Sequence, residues 1–185
     1  MKKIPTIFER DWNGNKSRVV NIIHPGCEWV LAGEGMATRK IDGTCCLVRG
    51  GKLFKRRELR NGEKLPPLFE VTDTDSATGK TTGWVPVACG PDDKWHREAF
   101  QNEPHLDDGT YELIGPKIQG NPENVTTHHL VKHGSGLAGA IENAPRTFDA
   151  LRSWMNGQRI EGLVFHHEDG RMAKIKLRDF GIKRP

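Results

Sequence analysis

Apolar and polar positions alternate with the two-residue period of strands along much of this chain, and two stretches carry a helical period instead. Arg18-Val19-Val20-Asn21-Ile22-Ile23 predicts a strand, ended by His24-Pro25-Gly26; Trp29-Val30-Leu31 is a second short apolar run, and Gly33-Glu34-Gly35 is a turn or loop. Residues 44–49 and 52–57 bracket Gly50-Gly51 and predict a tight hairpin in which Thr44 opposes Arg57 and Cys45 opposes Arg56. Residues 58–94 are rich in Pro, Gly, Thr and Asp and read as a long exposed connection with one short strand at 84–87. Residues 109–114 predict a strand running into a turn at Gly115-Pro116, and 127–131 another strand. The helical stretches are 92–100, capped by its aspartates with Trp95, Ala99 and Phe100 on one side, and 145–156. In the second, Pro145 stands near the first turn, Gly157 follows the end, and Phe148, Leu151, Trp154 and Met155 form a stripe that reads as core. A last hairpin spans 160–177 around Asp169-Gly170.

Strands joined by hairpins with a few helices predict an α+β fold: antiparallel sheets with flanking helices. At 185 residues the chain suits a single domain over 1–185 with a substantial core. With 35% hydrophobic and 28% charged residues it reads as soluble, and no apolar run approaches a membrane span. The start, Met1-Lys2-Lys3-Ile4-Pro5-Thr6, lacks the apolar block of a secretory signal, and Cys27, Cys45, Cys46 and Cys89 form no Cys-x-x-Cys pair. Together these predict reduced thiols in a cytoplasmic protein. Cys45 and Cys46 are adjacent on a strand and point to opposite faces, which argues against a joint metal site. A formal charge of +4 permits a nucleic-acid or nucleotide partner without demanding one.

Charge placement is more informative. A two-residue turn at Asp169-Gly170 pairs Phe165 with Lys174, Leu163 with Lys176 and Glu161 with Arg178, so that Glu161, Lys174 and Lys176 share a face with Leu163 and Phe165. An acid and two lysines on a face with apolar residues suggest a lined pocket for a polyanion; a solvated ion-pair surface is the alternative. Earlier in the chain, Lys40-Ile41-Asp42-Gly43-Thr44 puts Lys40 and Asp42 on one face if extended, and Gly43 leaves the backbone open to a phosphate or sugar.

In chain order, these residues resemble the motifs of the covalent nucleotidyltransferase superfamily of polynucleotide ligases and capping enzymes. Lys40-Ile41-Asp42-Gly43 is similar to the nucleophile motif, Lys55-Arg56-Arg57 to the basic motif after it, and Tyr111-Glu112-Leu113-Ile114-Gly115-Pro116-Lys117-Ile118-Gln119-Gly120-Asn121 to the third. Glu161-Gly162-Leu163-Val164-Phe165 resembles the fourth and Lys174-Ile175-Lys176 the fifth, so the likeness spans roughly 36–178. Lys-Ile-Asp-Gly-Thr and Glu-Leu-Ile-Gly-Pro-Lys-Ile-Gln look closest to ATP-dependent RNA ligases. The resemblance implies a nucleotidyltransferase (ATP-grasp-like) adenylylation domain with its nucleotide in a cleft between antiparallel sheets. It implies that Lys40 attacks the α-phosphorus of ATP, forming lysyl-AMP, after which AMP passes to an RNA 5′-phosphate and is displaced by a 3′-hydroxyl. The attacking amine must be neutral, a form favoured by the charges of Lys174 and Lys176 and by partial desolvation. Lys174 and Lys176 would hold the α-phosphate and Glu112 the ribose; Arg56 would contact the sugar or the RNA end, with Arg57 beside it. Glu161 would bind Mg2+ or Mn2+, and Asp42 would support the metal or Lys40, next to Gly43. Val164 would pack on adenine, which strict alternation allows only if a bulge intervenes or the register differs by one. The base-stacking position falls on His129 or Leu130. Relatives with a trailing OB-fold carry a further motif after the fifth; nine residues follow Lys176, which weighs against capping and duplex-DNA chemistry.

The alternatives are a DNA nick ligase or guanylyltransferase and a nucleotide- or RNA-binding module without turnover; the sequence leaves the oligomeric state open. Gly134-Ser135-Gly136-Leu137-Ala138-Gly139 matches a dinucleotide fingerprint by letter, but without a strand–helix frame it reads as a loop. His128-His129-His133 and His166-His167 lack a partner cysteine in sequence and read as surface or nucleic-acid-facing histidines.

Overall fold

A computed structural model describes residues 3–76, 78–134 and 139–184. It is an α+β chain of antiparallel sheets and short helices in two compact units, one of Ile4–Ile41 with Gly136–Pro185, the other of Asp42–Ser135 with Met1–Lys3. The boundary falls inside the Lys40-Ile41-Asp42-Gly43 stretch. None of the described helices is long and apolar enough to cross a membrane. Of the glycine-rich stretch read as a loop, residues 135–138 lie outside the described residues.

The first unit opens with β1 (Phe8–Arg10) paired to β2 (Val19–Ile23). Trp29-Val30-Leu31 belongs to a one-turn helix, α1 (Glu28–Leu31), which buries Trp29 and Val30. After it comes β3 (Met36–Lys40). The unit's three-stranded sheet runs in the order β11, β10, β3, with β10 at Gly162–His166 and β11 at Met172–Lys176. Pro5–Ile7 covers the outer edge of β11, because Ile7 donates to the Lys174 carbonyl and Lys174 to that of Pro5. The helix near the C-terminus, numbered α3 because one helix precedes it in the second unit, spans Phe148–Met155 and begins after Thr147, later than Pro145 suggested. Its stripe does face the core: Leu151 and Met155 are fully buried with Ile7, Phe8, Leu163, Phe165 and Ile175, and Phe148 packs edge-on against Phe8 and Phe180.

The β10–β11 register differs by one residue from the sequence expectation. Gly162 opposes Lys176, Leu163 opposes Ile175, Val164 opposes Lys174 and Phe165 opposes Ala173. The connection is a three-residue loop closed between His167 and Arg171, with Gly170 in the left-handed region at φ 89°. That geometry is the type I turn plus bulge that a glycine in third place permits. One residue of shift exchanges the faces. Leu163, Phe165, Ala173 and Ile175 all point into the core at 0% exposure, while Val164 joins Lys174 and Lys176 on the other face. Leu163 and Phe165 therefore do not line a pocket with the lysines.

In the second unit a six-stranded sheet runs in the order β6, β7, β5, β4, β8, β9. The hairpin of β4 (Thr44–Arg49) and β5 (Lys52–Leu59) has the expected register, with Cys46 opposite Lys55 and both turn glycines at positive φ. The stretch read as a long connection holds a second hairpin, β6 (Glu70–Thr74) and β7 (Thr81–Pro86). Its polar, threonine-rich strands lack the apolar alternation that marks strands in sequence. Helix α2 (Lys94–Asn102) follows a 3-10 turn at Pro91–Asp93, and the Asp93 carboxylate does not cap it. That carboxylate binds Lys55 Nζ at 2.5 Å and accepts from the Ala88 N–H at 2.7 Å. Finally β8 (Gly109–Ile114) pairs with β9 (His129–Lys132). Cys46, Val48, Leu53, Tyr111, Leu113 and Leu130 form the core against Ala99 of α2.

Gly162 is required by its neighbours: a Cβ there would stand 2.1 Å from the Ile175 carbonyl oxygen and 2.8 Å from Lys176 Cα, both backbone atoms. Gly162→Ala is expected to lower stability by about 1–3 kcal/mol through forced displacement of β11. Gly90→Ala, where a Cβ meets nothing within 4 Å, should stay within about 0.5 kcal/mol of wild type. Urea unfolding followed by circular dichroism measures both.

Candidate active site

Three-stranded pairing in the first unit builds a row of Lys40, Gly162 and Lys176 across β3, β10 and β11. The row two residues along the strands is Thr38, Val164 and Lys174, on the same face. Beyond it stand Met36, His166 and Met172. Since the opposite face is core, the lysines must project away from it. Gly162 leaves a gap between Lys40 and Lys176, and the carboxylate of Glu161, just before β10, bridges them. Its Oε2 accepts from Lys40 Nζ at 2.5 Å and its Oε1 from Lys176 Nζ. The side chains of Lys40, Glu161 and Lys176 are 20%, 14% and 14% exposed, so water screens this triad only partly. Burial opposes ionisation of Glu161, but the Lys40 and Lys176 ammonium groups hold its carboxyl below the usual range.

The backbone around these lysines is tied down. Asp179, 1% exposed, accepts from the Lys176 N–H at 2.9 Å through one oxygen and from Arg10 at 2.8 Å through the other. On the lysine face, Thr38 Oγ1 lies 2.9 Å from His166 Nε2 and donates to the Val164 carbonyl at 3.3 Å. Thr38 was not singled out in the sequence, and His166 was read there only as a surface or nucleic-acid-facing histidine; the strand register is the signal that places both. Strand β3 ends at Lys40, so alternation does not extend to Asp42 as an extended segment would require.

In the second unit, Asp42 has its backbone N–H bound to Glu123 Oε1 at 3.1 Å. Gly43 donates to Glu112 Oε1 at 3.1 Å. A Cβ at Gly43 would lie 2.1 Å from the Leu113 carbonyl oxygen, so close approach of β8 already demands glycine there. Glu112 is buried on β8, and its other oxygen lies 3.0 Å from His133 Nε2. His133 Nδ1 in turn lies 3.0 Å from Thr110 Oγ1. Cys45 is directly opposite Glu112, and extending the β4–β5 register puts Arg56 opposite Cys45. Burial pushes the Cys45 thiol up to about 11, Glu112 adds to the rise, and Arg56 works against it.

The remaining expected site residues lie apart from this group. Arg57 is on the alternate face of β5 from Arg56 and pairs with Glu63 at 3.2 Å, half exposed. Leu130 is core, 3% exposed and opposite Leu113 on the neighbouring strand. His129 contacts Thr127 Oγ1 at 2.5 Å and Glu103 at 3.4 Å. The residue that opposes Glu112 on β9 is Val131. Sequence reasoning missed Val131 and read His133 as a surface histidine, because the segment joining β8 to β9 is too long to set a register from its turn.

Comparison with known proteins bears on what these groups serve. Residues 101–185 match the family model described as RNA ligase 1, a span that holds Glu112, Glu161, Val164, Lys174 and Lys176. RNA ligase 1 of Danio rerio is 36% identical over 85 residues, covering 41% of this chain and 25% of that protein. RNA ligase 1 of Rattus norvegicus is 29% identical over 227 residues, covering 82% of this chain and 69% of the rat protein. RNA ligase 1 of Pongo abelii is 30% identical over 228 residues, covering 82% and 69%. The chain belongs to the RNA ligase 1 family. The alignments with the rat and Pongo abelii proteins are longer than this chain, so these RNA ligase 1 proteins carry residues inserted relative to it.

The Glu161 bridge has a pH signature. A carboxyl held below its ordinary value stabilises the fold above that value, about 4.5, and the contribution disappears as pH falls through the depressed folded value. Glu161→Gln is therefore expected to cost roughly 1.5–3 kcal/mol at pH 7, the scale of hydrogen bonds to charged groups. The gap from wild type should close below the ordinary carboxylate range. Urea denaturation of both proteins between pH 7 and pH 3 checks this; a gap independent of pH would contradict it.

Proposed function

We propose that this chain is an ATP-dependent RNA ligase that carries AMP on Lys40 as a phosphoramidate and joins an RNA 5′-phosphate to a 3′-hydroxyl. The observation that carries the reading is the set of Lys40, Lys174 and Lys176 on one face of the small sheet, with Glu161 as the shared acid and core behind. Membership in the RNA ligase 1 family favours RNA over the DNA and capping readings.

Lys40 attacks the α-phosphorus once its amine is neutral; a nitrogen–phosphorus bond forms, the bond to the leaving oxygen breaks, and pyrophosphate departs. Before that, Lys40 must leave the Glu161 carboxylate, which here holds it as an ammonium partner. Lys176 and Lys174 then stabilise the charge that grows on the α-phosphate oxygens. Asp179 and Pro5–Ile7 hold the backbone of these two lysines and so set their direction. The Glu161 carboxylate is a hard oxygen donor of the kind that Mg2+ or Mn2+ accepts along with substrate phosphates, and Asp42 is the second acid the motif supplies. Such an ion would neutralise phosphate charge. Releasing Lys40 and gaining a cation are compatible demands on Glu161, since it loses one positive partner and takes another.

Glu112 supplies the ribose contact in this reading. Its carboxylate already holds the Gly43 N–H and faces His133, so a sugar hydroxyl would take the place of the imidazole at the second oxygen. By the resemblance Val164 would pack on adenine; on β9 the residue opposite Glu112 is the buried Val131, not His129 or Leu130.

A joining assay tests the whole. With 5′-phosphorylated RNA, ATP and Mg2+, wild type should give ligated product, and Lys40→Ala none. Given RNA already adenylylated at its 5′ end, Lys40→Ala should still join it, because the amine is needed only to load AMP. Lys174→Ala and Lys176→Ala should each lose roughly 10²–10³-fold in the first assay, the usual effect of removing one donor to a developing oxyanion. Normal joining of 5′-phosphorylated RNA by Lys40→Ala would contradict the proposal.

A further inference from the structure

Cys45, Glu112 and His133 converge on one face of the six-stranded sheet. Cys45 and Glu112 are direct cross-strand partners, and the His133 N–H donates to the Thr110 carbonyl at 3.0 Å, which puts His133 one row away. One ligand atom from each side chain, a sulfur, a carboxylate oxygen and an imidazole nitrogen, lies within 4.8 Å of both others. A tetrahedral zinc-class site, with bonds of about 2.3 Å to sulfur and about 2.0–2.2 Å to nitrogen or oxygen, separates its ligand atoms by roughly 3.3–3.6 Å. Glu112 Oε2 and His133 Nε2, 3.0 Å apart, already stand near that spacing, and all three atoms lie within 4.8 Å of one another.

We propose that Cys45, Glu112 and His133 form a binding site for a zinc-class divalent ion, with its fourth position open to solvent. The tautomer chemistry fits. His133 Nε2 faces Glu112 Oε2, and Nδ1 faces the Thr110 hydroxyl, which can donate or accept. When Nε2 gives its lone pair to a metal, the ring proton moves to Nδ1 and is donated to Thr110, the outer-shell bond that orients metal-bound histidines. Glu112 needs only Oε2 for the ion and keeps Oε1 on the Gly43 N–H. On binding, the Cys45 thiol releases its proton to solvent and the thiolate forms the metal–sulfur bond. Thiolate and imidazole select zinc-class ions over magnesium, which prefers an all-oxygen shell. The cysteine partner missing from the linear sequence around His133 is thus supplied two strands away.

Glu112 also serves the ribose in the ligase reading, so a zinc-class ion here would compete with nucleotide while magnesium would not. That consequence rests on the ligase reading; the site does not. The test uses cobalt(II) as the probe, added to the reduced, metal-free full chain without nucleotide. One equivalent should produce a thiolate-to-cobalt charge-transfer band and the strong visible absorption of a four-coordinate ion. Cys45→Ala and Cys45→Ser should abolish the charge-transfer band, His133→Ala should weaken cobalt binding at least tenfold, and Cys89→Ser should leave both unchanged. Circular dichroism confirms that the variants are folded. Absence of the band in folded wild type, or its persistence in the Cys45 variants, would overturn the proposal. Either result is independent of whether the chain ligates RNA.

Discussion

The bridge from Glu161 to Lys40 and Lys176 is the interaction on which the arrangement of the first unit's lysine face depends. Two ammonium groups flank a glycine in one strand row, where their mutual repulsion goes unanswered unless an acid stands between them. Glu161 does so with one oxygen for each. Partial burial strengthens the attraction and raises the cost of leaving any of the three unpaired. The same bridge engages the Lys40 amine with a carboxylate oxygen at 2.5 Å. In the proposed reading, activation of Lys40 and occupation of Glu161 by another cation would be coupled events, because both draw on the same carboxylate.

Backbone contacts make that arrangement specific. Gly162 lets β10 approach the Ile175 carbonyl of β11 closely, and any side chain there would collide with the β11 backbone. Gly43 plays the matching part in the second unit, where the Leu113 carbonyl oxygen occupies the place of a Cβ and the Gly43 N–H becomes available to Glu112. Asp179 links Arg10 of β1 to the backbone of Lys176. These are reasons rooted in packing for residues that also look like parts of a ligand site.

Much of this was legible in sequence. The β4–β5 register followed from Gly50-Gly51, because two glycines at positive φ close a two-residue turn and leave one pairing. The α3 stripe followed from its period. The register around Asp169-Gly170 did not, because the same two letters also end a three-residue loop, and only the tertiary burial of Leu163 and Phe165 decides between them. The conflict was visible beforehand in Val164, which the motif resemblance placed on the lysine face and alternation did not. The β6–β7 hairpin was hidden by its polar composition, and the Cys45, Glu112 and His133 group by strand pairings that cross a long connection. The carboxylate bridge between Lys40 and Lys176 needed both β10 registers at once. The errors thus have two sources: strand pairings across long connections, and hairpins whose composition or turn length leaves the local pattern ambiguous.

Belonging to the RNA ligase 1 family and presenting a lysine-rich face are consistent with one another, and the claim that joins them is covalent catalysis at Lys40. Peptide mapping by mass spectrometry, after the full chain has been incubated with ATP and Mg2+, tests it most directly. The expected result is a single AMP adduct on the peptide containing Lys40, acid-labile as a phosphoramidate should be and absent from Lys40→Ala. An adduct on another residue, or none in a protein that nonetheless joins 5′-phosphorylated RNA, would contradict it.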